Sequence, residues 1–350
     1  MPLPGAPLRK LGFLTIGLFD PADPADPARG HNSTLEIIEL GEALGFDSAW
    51  LRHRHLQYGI SSPIAVMAAA SQRTSRIQLG TAVTPLGWEN PLRLAEDLAT
   101  VDLLSGGRIN SGISVGTPMN FDTIKHELYP QTAEQEDFGF ERAARLARYI
   151  SGEELRELRG KQGVVEEFSA RVEPHSPTLR DRLWYGVGSL DSARRAGEHG
   201  FNLLTSSVVF AGPDHPNPRF DLVQQSQIQA FRQAAAQAGH QQARVSQGLV
   251  VIPTDSATPE QVRRYEQYVA ERTPRTTAAQ GPRGMLFAKD LIGSSEQIAE
   301  QLYAHAGFRE VDEVAFALPF SFNQQDYEQI LTDIAQRLGP VLGWRPGTSA

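Results

Sequence analysis

Two histidines that flank an arginine are the first candidates for chemistry in this chain. His53, Arg54 and His55 come directly after a predicted strand. If the strand continues to His55, alternation places His53 and His55 on one face, where two imidazoles can bind a metal ion. A catalytic metal needs a further ligand, and the residues directly after the next predicted strands include no carboxylate or histidine. The metal interpretation is therefore the less favoured one, and polar residues at the rim of the fold are the alternative.

A second candidate site lies where a predicted helix begins. Gly188 and Ser189 open this helix, and Ser192 lies in its first turn. Free main-chain N–H groups, two hydroxyls and the positive end of the helix dipole suit an anion such as phosphate. The alternative is simple N-capping by Ser189, which needs no ligand.

Small residues at two other predicted strand ends leave space for a ligand with a flat ring. Thr81 and Ala82 lie near the end of the third predicted strand, and Ser114 and Gly116 near the end of the fourth. The alternative is that small residues merely permit tight loop packing at these positions.

The elements that must position these residues alternate regularly between strand and helix. The predicted strands are Leu11–Phe19, Phe46–Arg52, Arg76–Val83, Arg108–Val115, Leu183–Val187, Phe201–Ser206, Val245–Ile252 and Val311–Leu318. The predicted helices are Thr34–Leu44, Pro63–Gln72, Pro91–Leu104, Phe140–Ile150, Asp191–His199, Leu222–Ala238, Ser294–His305 and Tyr327–Leu342. Eight such repeats predict an α/β fold, a closed (β/α)₈ TIM barrel forming a single domain over residues 1–350. An open doubly wound sheet is the alternative, but it requires a glycine-rich phosphate loop after the first strand, which the sequence lacks.

Insertions interrupt the predicted barrel after its fourth and seventh strands. After the fourth strand we expect an irregular stretch at Thr117–Ala133 and a charged surface insertion at Ser151–Pro177. After the seventh, Thr254–Gly284 is long and polar around a short helical piece. A connection of this length at the active end of a barrel predicts a mobile lid.

Charge and composition narrow the classes of partner. Lys and Arg number 33 and Asp and Glu 41, a formal net charge of −8 that disfavours nucleic acid and anionic membranes as partners. The absence of cysteine excludes disulfides, thiolate catalysis and cysteine-bound metals. The first ten residues do not resemble a signal peptide and no apolar run is long enough to span a membrane. We therefore expect a cytoplasmic protein.

Six segments resemble the luciferase-like flavin-dependent monooxygenases, whose wider superfamily includes F420-dependent oxidoreductases. They read LGFDSAWLRHRH, SPIAVMAAASQRTSRIQLGTAV, NPLRLAEDLATVDLLSGGRINSGISVG, LWYGVGSLDSARRAGEHGFNLL, LIGSSEQIAEQL and VDEVAFALPF. The resemblance implies an FMN enzyme that oxidises a small organic substrate with reduced flavin and O₂, the flavin being reduced by a separate reductase. It also implies a homodimer formed through the second and third helices, with Ala65, Val66 and Ala68–Ala70 at the interface. The alternative is that this face packs on the chain's own barrel. A hydride-transferring F420 enzyme and a flavin-binding barrel without turnover are the alternatives.

The resemblance also implies roles for particular residues. A bulge or cis peptide at Ala82–Val83, with Thr81 beside it, would lie beneath the flavin ring. The main chain from Ser114 through Val115 to Gly116 would run along the flavin. The implied phosphate-side residues are Gly188, Ser189 and Ser192.

The chain departs from the family pattern at several of these positions. The family arginine near the phosphate falls on Val115 and a family glutamate falls on Gly188, so Arg142 is the candidate for the missing positive charge. The first histidine of a family Glu-His-His motif falls on Arg54 and the second on His55. The resemblance thus points to Arg54 and His55, whereas strand alternation pairs His53 with His55, and the catalytic residue stays open among the three.

Overall fold

Eight parallel strands close into one barrel in the computed structural model, which describes residues 7–17, 26–155, 160–162, 164–211, 219–281 and 283–347. In chain order they are β1 Lys10–Thr15, β2 Ser48–Leu51, β3 Gln78–Thr81, β4 Ile109–Ser114, β5 Leu183–Gly186, β6 Asn202–Thr205, β7 Val245–Gln247 and β8 Glu313–Ala317. The order β3-β2-β1-β8-β7-β6-β5-β4 closes on itself, since Leu79 pairs with Ile109 and Gly80 with Asn110. The TIM-barrel prediction is confirmed, and every predicted strand overlaps an observed one.

Helices connect these strands around the outside. They are α1 Arg29–Ala43, α2 Pro63–Ser71, α3 Pro91–Leu104, α4 Phe121–Leu128, α5 Glu141–Ile150, α6 Leu190–Glu198, α7 Phe220–Gln237, α8 Pro259–Arg272, α9 Ser295–Ala304 and α10 Gln324–Asp333. Local signals fixed several ends: Asn90 caps α3 as predicted, and Ser294 and Gln297 form the predicted capping box of α9. None of the helices in the described part of the chain is both long and apolar enough to cross a bilayer.

The structure differs from the sequence prediction in four places. The stretch predicted as irregular contains α4, whose Phe121 packs edge-on against Phe138 with ring centroids 4.9 Å apart. The seventh predicted strand is divided: β7 ends at Gln247, and Val251–Pro253 leaves the barrel to pair with Leu291–Gly293. The predicted short helical piece after β7 is the 14-residue α8. In the last predicted helix, the α-helical part ends at Asp333 and the chain continues as a π-helix over Ile334–Leu338.

Three sequence predictions reach residues outside those described. The end of the first predicted strand, with the loop expected after it, includes residues 18–25. The surface insertion includes residues 156–159 and 163, and the predicted lid includes Pro282.

Two tryptophans fill the middle of the barrel and so decide where space remains. Trp50 and Trp184 meet edge to face with ring centroids 5.5 Å apart, and their indole N–H groups donate to Ser48 and Asn110 over 2.9 Å. At the N-terminal end of the strands, Arg244 lies over the Trp184 ring and forms an ion pair with Glu313. This packing fills the lower barrel and leaves the C-terminal end open for a ligand.

Candidate active site

A cavity of about 510 Å³ lies at the C-terminal ends of the strands, above the tryptophans. Its base includes the small or apolar residues Leu14, Ala82, Val83, Leu204 and Ala315. Its walls carry hydroxyl groups, contributed by Ser114, Ser189, Ser192, Thr205, Ser206, Ser207 and Ser246. This volume lies in the range of small-molecule sites, which are about 300–1,000 Å³.

One cation is the only charged side chain among the described residues that line this cavity. Arg283 precedes the short strand Met285–Phe287, and its guanidinium carbon lies 4.1 Å from the centre of the Phe210 ring. Phe210 also closes over Gly188, where a Cβ atom would lie 2.6 Å from the ring. Gly188 thus permits the Phe210 ring to approach. Arg283, beside that ring, gives the cavity a positive end suited to an anionic group.

The start of α6 forms part of the cavity wall. Ser189 and Ser192 form a reciprocal capping box, in which each side chain accepts a hydrogen bond from the other residue's main-chain N–H. The N-capping alternative is therefore realised, and these hydroxyls already have a partner. The other first-turn N–H groups lack acceptors within the helix and stay available to an anion.

The structure brings most of the predicted cofactor residues to the cavity. Those that line it are Ala82, Val83, Ser114, Val115, Gly188, Ser189 and Ser192. The peptide bond between Ala82 and Val83 is cis, as the resemblance implied. The assignment of these residues to a cofactor remains a prediction.

Three predicted cofactor residues do not line the cavity. Thr81 is fully buried and its hydroxyl donates to the Gly112 carbonyl over 2.7 Å. Gly116 is exposed, beyond the end of β4. Arg142 is occupied elsewhere: it forms an ion pair with Glu136 and donates to the carbonyls of Leu86, Glu89 and Asp137. The positive charge at the cavity therefore comes from Arg283 and not from Arg142.

His53, Arg54 and His55 line a separate pocket of about 90 Å³ beside the loop that follows β3. The strand ends at Leu51, yet the His53 and His55 rings still meet, with centroids 4.5 Å apart. His55 also stacks on Trp88 at 4.0 Å with an angle of 13° between the planes. The two histidines are thus paired, although the strand whose alternation predicted this pairing ends before it reaches them.

Burial controls the protonation of this pocket. It lowers the pKa of His53 to about 3, assisted by the neighbouring His55 and Arg54. Burial likewise lowers the pKa of His55, so both imidazoles are neutral near pH 7. Burial raises the pKa of nearby Glu89 to about 7, and the charge of Asp97 adds to this effect.

The closed barrel of eight parallel strands makes this chain a TIM-barrel protein, with its cavity at the carboxyl ends of the strands, where such barrels carry their sites. The chain belongs to the luciferase-like monooxygenase family, whose model matches residues 13–310.

Proteins with similar sequences include an F420-dependent dehydrogenase and a monooxygenase. An F420-dependent glucose-6-phosphate dehydrogenase of Amycolatopsis mediterranei is 33% identical over 112 residues, which are 30% of this chain and 34% of that protein. A 4-hydroxyprotoasukamycin monooxygenase of Streptomyces nodosus subsp. asukaensis is 35% identical over 94 residues, which are 26% and 25% of the two chains. The chain therefore matches about a third or less of these relatives' lengths.

One solved structure is similar in fold to nearly the whole of this chain. The oxygenating constituent of 3,6-diketocamphane monooxygenase from Pseudomonas putida, solved with FMN, superposes with a TM-score of 0.68 at 16% identity. The superposition covers 96% of this chain and 98% of that one. At this identity the likeness concerns the fold.

Sequence reasoning missed Arg283, Trp88 and Glu89. Arg283 lies at the end of a segment interpreted as a lid, and the other two lie several residues beyond β3. Barrel sites are expected directly after each strand, and Trp88 and Glu89 lie beyond that range. An aromatic and an acidic residue side by side in the loop after β3 are the signal that could have indicated this pair, whereas nothing in the local sequence marks Arg283.

Proposed function

We propose that this chain is a monooxygenase that uses reduced FMN and O₂ to oxidise a small organic substrate. The observation that carries the proposal is the cavity, which combines small apolar residues at its base with one cation and a helix N-terminus at its side. A flat uncharged ring fits the first environment and a phosphate fits the second. Membership in the luciferase-like monooxygenase family supports the same cofactor class.

The cofactor would be held by residues at the ends of β3, β4 and β5, together with Arg283 from the segment after β7. Ala82, Val83, Ser114 and Val115 would face the ring, while Arg283 and the start of α6 at Ser189 would hold the phosphate. Bound reduced FMN would supply the electrons that activate O₂. The chain would bind and orient the ring and keep water from it, which the apolar base of the cavity favours.

His55 is our candidate for a hydrogen bond to the reacting groups. Its imidazole is neutral at pH 7 because burial lowers its pKa, so it would donate or accept one hydrogen bond instead of acting as a cationic acid. Stacking on Trp88 fixes the ring plane. Arg54 and His53 share the pocket and are the alternative candidates.

A deazaflavin enzyme that transfers hydride from F420 is the second candidate. The observation that favours it is the similarity to the F420-dependent glucose-6-phosphate dehydrogenase. Both candidates place a flat ring and an anionic tail in the same cavity, and they differ in whether O₂ reacts. A flavin-binding barrel without turnover would show binding alone.

A titration separates these three functions. The purified chain is mixed with FMN, FAD or F420 while fluorescence quenching is followed, and reduced FMN is then offered with O₂. We expect FMN to bind most tightly and O₂ to be consumed in the presence of a substrate of the enzyme. Tight binding of F420 with none of FMN would favour hydride transfer. FMN binding with no substrate oxidation across a broad panel would favour the non-catalytic barrel.

We also propose that a separate reductase supplies reduced FMN, since the sequence contains no recognisable nicotinamide fingerprint. With FMN bound, the purified chain alone should not oxidise NADH or NADPH, and addition of an unrelated flavin reductase should start turnover. Nicotinamide oxidation by the chain alone would contradict this proposal.

A further inference from the structure

Two histidines and a glutamate converge beside the cavity, and the proposed function gives no role to the three of them together. His53 and His55 follow β2, whereas Glu89 follows the helical turn Leu86–Trp88 after β3. One ring nitrogen from each histidine and one carboxylate oxygen lie within 4.8 Å of one another. This glutamate is the further ligand that the sequence did not supply directly after a strand.

Three of the four ring nitrogens of the two histidines lack a hydrogen-bond partner among the described residues. His53 is only 4% exposed, yet neither of its ring nitrogens, nor Nε2 of His55, makes a hydrogen bond within the described part of the chain. A weak hydrogen bond with the main chain of Ser61 opposes the lowering of the His53 pKa, but this contact does not have ordinary hydrogen-bond geometry. Buried polar atoms are nearly always paired, and leaving them unpaired is unfavourable, so these three call for a partner.

The donor set matches a transition-metal site. Two imidazoles and one carboxylate are a protein ligand set for Zn²⁺, with a fourth position left to water. Bonds of about 2.0–2.2 Å require the three atoms to be somewhat closer than 4.8 Å, so binding an ion would require the side chains to move together. The adjoining pocket of about 90 Å³ has room for solvent on the ion.

The charges around the cluster are mixed. Arg54 lies between the histidines in sequence and opposes a cation, and the Nε of this arginine has no hydrogen-bond partner among the described residues. Glu89 and its neighbour Asp97 favour a cation. We therefore expect an affinity weaker than that of a closed structural zinc site.

We propose that His53, His55 and Glu89 bind one divalent transition-metal ion, with Zn²⁺ and Co²⁺ as suitable ions. The site is defined by the chain's own residues and does not depend on a flavin. Its test is therefore independent of the proposed function.

The experiment uses the full chain, stripped of metal with a chelator and free of flavin. Co²⁺ is titrated while visible absorption is followed, Zn²⁺ is titrated by calorimetry, and the melting temperature is measured with each ion. We expect one ion to bind per chain and the melting temperature to rise. The visible absorption of bound Co²⁺ should be that of a four-coordinate ion, with three protein ligands and one water. His53→Ala, His55→Ala and Glu89→Gln should each weaken binding about tenfold or more, whereas His240→Ala, at an exposed turn, should not.

Two results would overturn the proposal. One is the absence of stoichiometric binding to the wild-type chain. The other is binding that the three substitutions leave unchanged, which would place the ion on other surface histidines. If His53→Ala fails to fold, as judged by circular dichroism, Glu89→Gln and His55→Ala decide the matter, because both side chains are only partly buried.

Discussion

At the scale of single residues, the positive end of the cavity makes a prediction about the cofactor's phosphate. Arg283→Gln should weaken FMN binding about tenfold, or about 1.4 kcal/mol, because it removes the one charge among the described lining residues. Ser189→Ala should also weaken FMN and should lower helix stability by about 1 kcal/mol, because Ser189 caps α6. Titrations of FMN and riboflavin measure both effects.

Riboflavin is the control ligand because it lacks the phosphate. Its affinity should be lower than that of FMN in the wild-type chain and unchanged by Arg283→Gln. Arg309→Gln, an exposed arginine on another face, serves as the control variant. Equal losses for FMN and riboflavin would assign Arg283 to the ring and not to the phosphate.

A second prediction at this scale concerns His55. Because His55 lies in the pocket beside the cavity and does not line it, His55→Ala should leave FMN affinity within about twofold of wild type while slowing oxygenation at least tenfold. The measurement is turnover of a small aldehyde or ketone that the wild-type chain oxidises, in the presence of a chelator so that metal plays no part. If the rate is unchanged, Arg54→Ala and His53→Ala become the informative variants.

At the scale of elements, a buried ion pair joins α3 to the strands on both sides of the first insertion. The Asp102 carboxylate is fully buried; it accepts two hydrogen bonds from Arg182 and one from the Ile109 N–H, at 2.6–3.0 Å. Asp102→Ala should destabilise the fold by about 3–5 kcal/mol, because it leaves the arginine buried and unpaired. Urea denaturation measures this change. Asp97→Ala on the same helix should change stability far less, and similar losses for both would contradict the argument.

The segment after β7 is the one predicted to be a mobile lid, and part of it is packed against neighbouring elements. Helix α8 is anchored, since Tyr265 is fully buried and Arg264 pairs with Asp326. We therefore propose that the mobile part is confined to the exposed stretch from Thr277 to Ala279, since Gln280 pairs with Met285 through main-chain hydrogen bonds. Deleting residues 277–279 should raise hydrogen peroxide release during turnover while FMN affinity stays within about twofold, because a lid excludes water without holding the cofactor.

The control for this deletion is removal of Gln241 and Gln242 from the loop before β7, at the other end of the barrel. That variant should release no more hydrogen peroxide than the wild-type chain. Loss of FMN binding on deletion of residues 277–279 would show that the segment supports the cavity instead of covering it.

At the scale of the whole molecule, we propose a homodimer formed through α2 and α3. Val66 and Ala70 are buried against the chain's own barrel, but Ala65 and Ala69 are exposed on α2, and Leu103 and Leu104 are exposed at the end of α3. Ala65→Arg with Ala69→Arg should convert dimer to monomer, since two large charges would be buried at the contact. Sedimentation velocity at micromolar concentration measures this. Ala236→Arg, at an exposed position of α7, should leave the oligomeric state unchanged. A wild-type chain that is monomeric would contradict the proposal.

The sequence alone was enough to determine the barrel. Alternating apolar runs predicted all eight strands, and local signals such as Asn90 before Pro91 and the pairing of Ser294 with Gln297 placed helix starts. The strand pattern and the helix caps depend on residues only a few positions apart, so the sequence is sufficient to predict them. The absence of cysteine excluded thiol chemistry in the same direct way.

Only the tertiary structure decided which side chains meet. It joined Glu89 to His53 and His55, brought Arg283 to the cavity, and showed Arg142 held by the carbonyls around it. These contacts link separate loops, and their geometry depends on barrel closure and on how each loop folds back over the strand ends. No spacing within the sequence encodes such distances. The strands could therefore be predicted from their residues, whereas the site they support could be assigned only in part.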